Sequence, residues 1–300
     1  MYHAARSWAT AALLIVAASA CGSESRTGES SGPGSARSTA AQVAAEDYDS
    51  SRFGDSAKVD HRWYPLEPGT RFDYRGSFLE EDERLQHRVT TIVTDLTKVV
   101  DGVENVVVWE RDYGAGELVE TELALFAQDE DGNVWHMGEY PEEWEGGELV
   151  KAPAWVHGLR GATAGITIPA TPEVGTRDYA EGYAPPPINW ADRGRVHETG
   201  QKTCVPAGCY ADVVIVEEFE RSIKEAFQDK YYAPGVGVVR VGWRGANDDT
   251  KEVLELVDVR TLSTAEMDEA RADALALEER ALRISKDVFG RMPRSQGPGD

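Results

Sequence analysis

Three groups of residues in this chain have types and spacings that could do chemistry: His136 with Glu139, the run Asp129-Glu130-Asp131-Gly132-Asn133, and the cysteines Cys204 and Cys209. His-x-x-Glu is a metal-ligand spacing on a helix, where residues three apart share a face. Val134 to Tyr140 reads as a strand, so His136 and Glu139 are expected on opposite faces and should not converge. An EF-hand loop needs alternating ligands, glycine at its sixth position and glutamate at its twelfth, and the acidic run offers none of that register. It reads as a hairpin turn. Cys204 and Cys209 are separated by Val-Pro-Ala-Gly, and zinc would need further ligands near them, whereas the nearest histidine, His197, stands alone. In an exported chain the pair reads as a disulfide across a turn. His-Glu-x-x-His and phosphate-loop motifs are missing, so no catalytic residue, metal ligand or cofactor is assigned.

The start of the chain says more about place than about reaction. Arg6 precedes an uninterrupted small and apolar run from Ala9 to Ala18, then Ala18-Ser19-Ala20 and Cys21. Residues 1–20 are expected to be an export signal, too short for a stable membrane anchor. Cys21 after a small-residue cleavage site resembles the bacterial lipobox, with Ala18 where leucine is usual. That resemblance implies an acylated Cys21 that holds the mature protein to the outer face of a bacterial membrane. The alternative is ordinary cleavage and a soluble secreted product. Residues 21–58 are Ser, Gly, Ala and Thr with scattered charge, a flexible tether with a reach on the order of 30 Å. The net charge of −22 falls almost wholly on the later part of the chain and argues against nucleic acid as a partner and against lying directly on anionic headgroups.

The elements that would position any site are mostly strands. Leu85 to Val100 and Val103 to Tyr113 flank Asp101-Gly102, a dipeptide suited to the positive φ angles of a two-residue hairpin turn. Gly114-Ala115-Gly116 leads into Leu118 to Gln128, and the acidic run leads into Val134 to Tyr140, which completes a β-meander. The apolar run Val213 to Val216 predicts a strand covered on both faces, near the centre of the sheet. Ser263-Thr264-Ala265-Glu266 is a capping box, and Met267, Ala270, Ala274, Leu277, Ala281, Leu282 and Val288 recur at helical spacing. The expected fold is mainly β (α+β), a large curved antiparallel sheet or half-barrel of about ten strands with one C-terminal amphipathic helix. The β-rich domain is placed at 59–262, the helix at 263–290 and a disordered tail at 291–300.

Between Pro141 and Trp190 the composition turns to Gly, Pro and aromatics. Trp144, Trp155, Tyr179, Tyr183 and Trp190 are candidate binding residues, either as a stacking platform for a wall polysaccharide or as cover for the mouth of the sheet. Pro234, Gly235 and Gly237 predict a tight structural turn, with a ligand mouth as the functional alternative. The stretch around them, Lys230-Tyr231-Tyr232-Ala233-Pro234-Gly235-Val236-Gly237-Val238-Val239, resembles a KYYAPGVGxV signature of uncharacterised exported bacterial lipoproteins. The resemblance extends to Ala127-Gln128-Asp129, to Trp155-Val156-His157-Gly158 and to Ala207-Gly208-Cys209-Tyr210. It implies an envelope protein and no named activity. The sequence thus points to a non-catalytic, lipid-anchored envelope protein that binds an apolar small molecule or an envelope protein. A polysaccharide-binding module and a carboxylate-dependent hydrolase are the alternatives.

Overall fold

The computed structural model describes residues 46–299, so the export signal and Cys21 lie outside the described residues. Two meanders make up most of it. The first comprises β1 (Thr70–Glu80), β2 (Glu83–Val100), β3 (Val103–Gly114), β4 (Glu117–Gln128) and β5 (Val134–Glu145). Short strands follow: β6 (Glu148–Lys151), β7 (Trp155–Val156), β8 (Thr163–Ile168), β9 (Tyr179–Ala180) and β10 (Gly182–Tyr183). The second meander comprises β11 (Arg193–Val205), β12 (Gly208–Phe219), β13 (Phe227–Ala233), β14 (Gly237–Arg244) and β15 (Val253–Thr261), and helix α1 (Thr264–Ile284) ends the domain.

Local turn chemistry builds the hairpins as expected. Asp101 and Gly102 have φ of 48° and 81°, the left-handed pair of a two-residue turn. In the acidic turn, Asp129 accepts hydrogen bonds from the Asn133 amide at 2.8 Å and from Trp135 Nε1 at 2.9 Å, which commits its carboxylate to the hairpin itself. Cys204 and Cys209 face each other in the β11–β12 ladder and form a disulfide.

The meanders join side by side through β1 and β15, in a register that sets Thr70 against Thr261. The resulting order is β10-β8-β5-β4-β3-β2-β1-β15-β14-β13-β12-β11-β9, antiparallel throughout, with β6 and β7 on β5. The sheet is open and strongly curved, not a closed ladder. Its two ends nevertheless meet, because β9 pairs with β11 and β10 pairs with β8, and Glu181 alone separates β9 from β10. The chain from Tyr179 to Tyr183 is therefore a seam between the ends. It is tight: a Cβ on Gly165 of β8 would overlap the Glu181 carbonyl carbon and the Gly182 nitrogen.

Each face of the sheet has its own core. The concave face encloses Phe72, Val89, Val108, Phe126, Tyr232 and Leu254. The other face of β2–β5 carries Leu96, Val107, Leu125 and Met137 and is covered by Ala270, Ala274, Leu277 and Ala281 of α1. The capping box is formed, with Ser263 and Glu266 satisfying each other's backbone amides. Buried Lys98 pairs with Glu278, and Arg280 pairs with fully buried Glu142 at 2.9 Å.

Three expectations about the placing of segments differ from the structure. Residues 46–58, read as tether, pack down, with Tyr48 and Phe53 against Trp135. Residues 291–299, read as a free tail, also fold back, since Gln296 and Thr97 exchange backbone hydrogen bonds at 2.8 and 2.9 Å. Strand β12 lies near one end of the sheet order instead of its centre. Its run from Val213 to Glu218 is buried on both faces all the same.

Candidate functional site

The concave face does not fill completely. A cavity of about 140 Å³ remains inside the curl, lined by all five strands of the first meander and by β13, β14 and β15 of the second. Side chains alternate across a strand, so every second residue faces it. The inward stripe of β3 runs Val106, Val108, Glu110, Asp112, and that of β4 runs Phe126, Ala124, Glu122, Glu120. On β12 it runs Val214, Val216, Glu218, and on β15 Leu256 and Leu254, with Glu252 just before the strand. Each stripe is apolar at one end and acidic at the other. The cavity consequently has an apolar end and a carboxyl end.

The apolar end is closed by the segment before β1. Tyr64, Pro65 and Leu66 line the cavity, and Tyr64 meets Phe126 and Tyr232 edge-on at 5.8 and 5.7 Å between ring centres. This segment rests on the β13–β14 hairpin through Gly235, whose amide donates to the Arg62 carbonyl at 2.7 Å. Pro234, Gly235 and Gly237 form the hairpin's turn, with φ of 71° and 109° at the two glycines. Val236, Gly237 and Val238 also line the cavity, so the turn is both a structural corner and part of the wall.

At the carboxyl end, Glu110 stands directly opposite Glu122, and Asp112 directly opposite Glu120. Thr91 Oγ1 donates to Glu110 at 2.6 Å. His87 lies between two carboxylates, with Asp112 at 2.7 Å from Nε2 and Glu252 at 3.0 Å from Nδ1. Lys230 pairs with Glu218. Burial pushes Glu110 and Glu139 up to about 7 and holds Glu120, Glu122, Glu181 and Asp192 well above the usual carboxylate range. For His87, burial works against the charge, but its hydrogen bonds to Asp112 and Glu252 outweigh burial and raise it to about 10. His136 is driven to about 3 by burial and by the nearby Lys230 charge, which makes it a neutral imidazole.

The expectation that His136 and Glu139 diverge is corrected here. The β4–β5 register slips by one residue between Leu125 and Phe126, and Gly138 takes φ of 150° at that bulge. An extra residue in one strand reverses the alternation beyond it. Both side chains therefore face the cavity, with His136 Nε2 3.5 Å from Glu139 Oε2. Only glycine fits at this bulge, since a Cβ there would come within 2.7 Å of the Trp155 carbonyl oxygen. Among the described residues, no three His, Cys, Asp or Glu side chains are grouped so as to hold a metal ion.

The aromatic candidates separate. Trp155 (1% exposed), Tyr179 and Trp190 are buried, with Trp155 and Trp190 at 4.6 Å between ring centres. They offer no open stacking platform together with the part-exposed Trp144 and Tyr183. Trp190 instead forms part of the cavity wall, and its Nε1 donates to Asp192 at 2.6 Å.

An open curved sheet enclosing a half-acidic cavity is the architecture against which likenesses can be judged. No protein-family model and no curated protein matches the sequence. Among solved structures, the chain is similar to a Bacteroides fragilis protein described as exported, with a YMCC-like fold, at 13% identity and a TM-score of 0.40, over 67% of this chain and 100% of that one. It is also similar to a protein from Parabacteroides distasonis described as a lipoprotein, at 13% identity and a TM-score of 0.33, over 67% of this chain and 99% of that one.

Proposed function

We propose that this chain is a non-catalytic, exported protein, held to the membrane by a lipid on Cys21, that binds a small ligand with an apolar body inside its curved sheet. The observation that supports this is the cavity, with aromatic and aliphatic walls at one end and convergent polar groups at the other, the composition usual for small-molecule sites. Its volume, about 140 Å³, is close to the roughly 150 Å³ at which an apolar cavity takes up benzene. Native mass spectrometry of the mature protein, followed by solvent extraction, should reveal a bound small molecule or uptake of an added aromatic. Ala124→Phe, which fills the cavity, should abolish either signal. A protein that stays empty with every small molecule offered would shift the reading to a scaffold for an envelope protein, sought by crosslinking.

A second reading rests on Glu110 and Glu139, whose carboxyls titrate near 7, where general acids and bases work best. Turnover of a generic ester or glycoside that is lost in both Glu110→Gln and Glu139→Gln would favour a hydrolase instead.

A further inference from the structure

We propose that residues 46–50 are a latch on the seam, and that releasing it opens the cavity to the outside. The inference concerns access to the cavity of the reading above. Its test needs no ligand, so either can fail while the other stands.

The strap formed by residues 46–58 is held differently at its two ends. Its later part is fixed by backbone bonds to the strands and turn beneath it. The Glu130 amide donates to the Arg52 carbonyl at 2.8 Å, the Gln128 amide to the Ser56 carbonyl at 2.9 Å, and the Ser56 hydroxyl to the Glu104 carbonyl at 2.7 Å. Its first residues touch the domain through side chains. The Glu46 carboxylate accepts the Ala180 amide at 3.1 Å and pairs with Arg177 at 3.2 Å. The Tyr48 ring lies 4.0 Å from that of His157 and 5.7 Å from that of Trp135, between centres.

The Ala180 amide makes this contact matter to the seam. In the seam the Glu181 amide bonds to the Asp192 carbonyl at 3.0 Å, on the β11 side. Bonding groups alternate in direction along a strand, so the Ala180 amide points away from β11, and Glu46 takes the place that a further strand would fill. Ala180 is 2% exposed, so without Glu46 its amide stays buried and unmet until the seam parts and water reaches it. The next residue, Glu181, lines the cavity, and parting the chain there exposes the interior.

A second, independent observation makes the latch releasable. The Tyr48 hydroxyl is buried and finds no hydrogen-bond partner among the described residues. The closed latch carries that cost and the open one does not, because water satisfies the freed hydroxyl. Ring packing and the Ala180 bond favour closure while the hydroxyl opposes it, and such a balance is what a two-state element needs.

The test places a thiol in the cavity wall as Ala124→Cys in the mature protein and follows its labelling by methyl methanethiosulfonate, with hydrogen exchange read on the same samples. Adding Glu46→Ala should speed labelling about tenfold, the worth of one hydrogen bond. It should also speed exchange at residues 179–183 and leave β2–β3 at the parent rate. Glu46→Gln keeps an oxygen to accept the Ala180 amide and should label as the parent does. Tyr48→Phe removes only the hydroxyl and should label more slowly than the parent, which decides the matter even if Glu46→Ala fails to fold. Unchanged labelling in Glu46→Ala, labelling no slower in Tyr48→Phe, or a rise accompanied by equally faster exchange in β2–β3 overturns the latch.

Discussion

His87 is the residue on which the buried charge of the interior turns. Its two nitrogens hold Asp112 and Glu252 at 2.7 and 3.0 Å, and Gln228 completes the Glu252 carboxylate at 2.6 Å. Removing one partner of a buried ionic group leaves the others uncompensated, at a cost of about 3–5 kcal/mol. His87→Ala should lose stability of that order in urea unfolding followed by circular dichroism, and adding Asp112→Asn should restore part of it. A variant as stable as the parent would show that neither carboxylate is ionised. The inward acids themselves were legible only as continuations of apolar stripes, Val106-Val108-Glu110-Asp112 being the clearest. His136 and Glu139 were misplaced because strict alternation cannot anticipate the bulge at Gly138, where Trp155 and Val156 of β7 come too close for any side chain.

At the level of elements, what was legible followed from local chemistry. The Asp101-Gly102 turn, the meander it begins, the Cys204–Cys209 hairpin and the capping box of α1 each depend on a few neighbouring residues. The β1–β15 junction and the Tyr179–Tyr183 seam unite parts of the chain far apart in sequence, and no short motif announces such contacts. Gly165 shows the seam's demand most sharply, since its missing Cβ is the space in which the Glu181–Gly182 peptide lies. Gly165→Ala should force the ends apart at a cost of about 1–3 kcal/mol. Hydrogen exchange should show faster labelling of residues 179–183 than in the parent, with β2–β3 unchanged; equal protection at the seam would mean that the backbone there yields freely.

For the molecule as a whole, the buried acids set how stability varies with pH. Glu110 and Glu139 rise on folding from an ordinary value near 4.5 to about 7, so they favour the folded state fully below 4.5 and lose that contribution as pH climbs through 7. His87, raised from 6.5 to about 10, acts in the same sense, with its contribution complete below 6.5 and gone above 10. Glu266, lowered to about 2 by Arg260 and Ser263, contributes above its unfolded value and loses that contribution only as pH falls through 2. His136, lowered from 6.5 to about 3 by burial, opposes the trend by losing its contribution as pH falls below 6.5, one group against three. Thermal unfolding should therefore give a higher midpoint at pH 5.5 than at pH 8.5, with each kcal/mol worth roughly 2–4 °C. Glu110→Gln, which cannot ionise, should narrow the gap, and a midpoint that rises with pH would contradict the buried positions of these groups.

The seam also fixes an order of events in folding. Each meander can zip from its own hairpins, but residues 179–183 have edges to pair with only after β8 and β11 are in place and β1 has found β15. Until that moment the interior is wet and its acids ionise as they would in water. Burying the interior is thus expected to bring proton uptake by Glu110 and Glu139 with it, since both rise to about 7 only when buried.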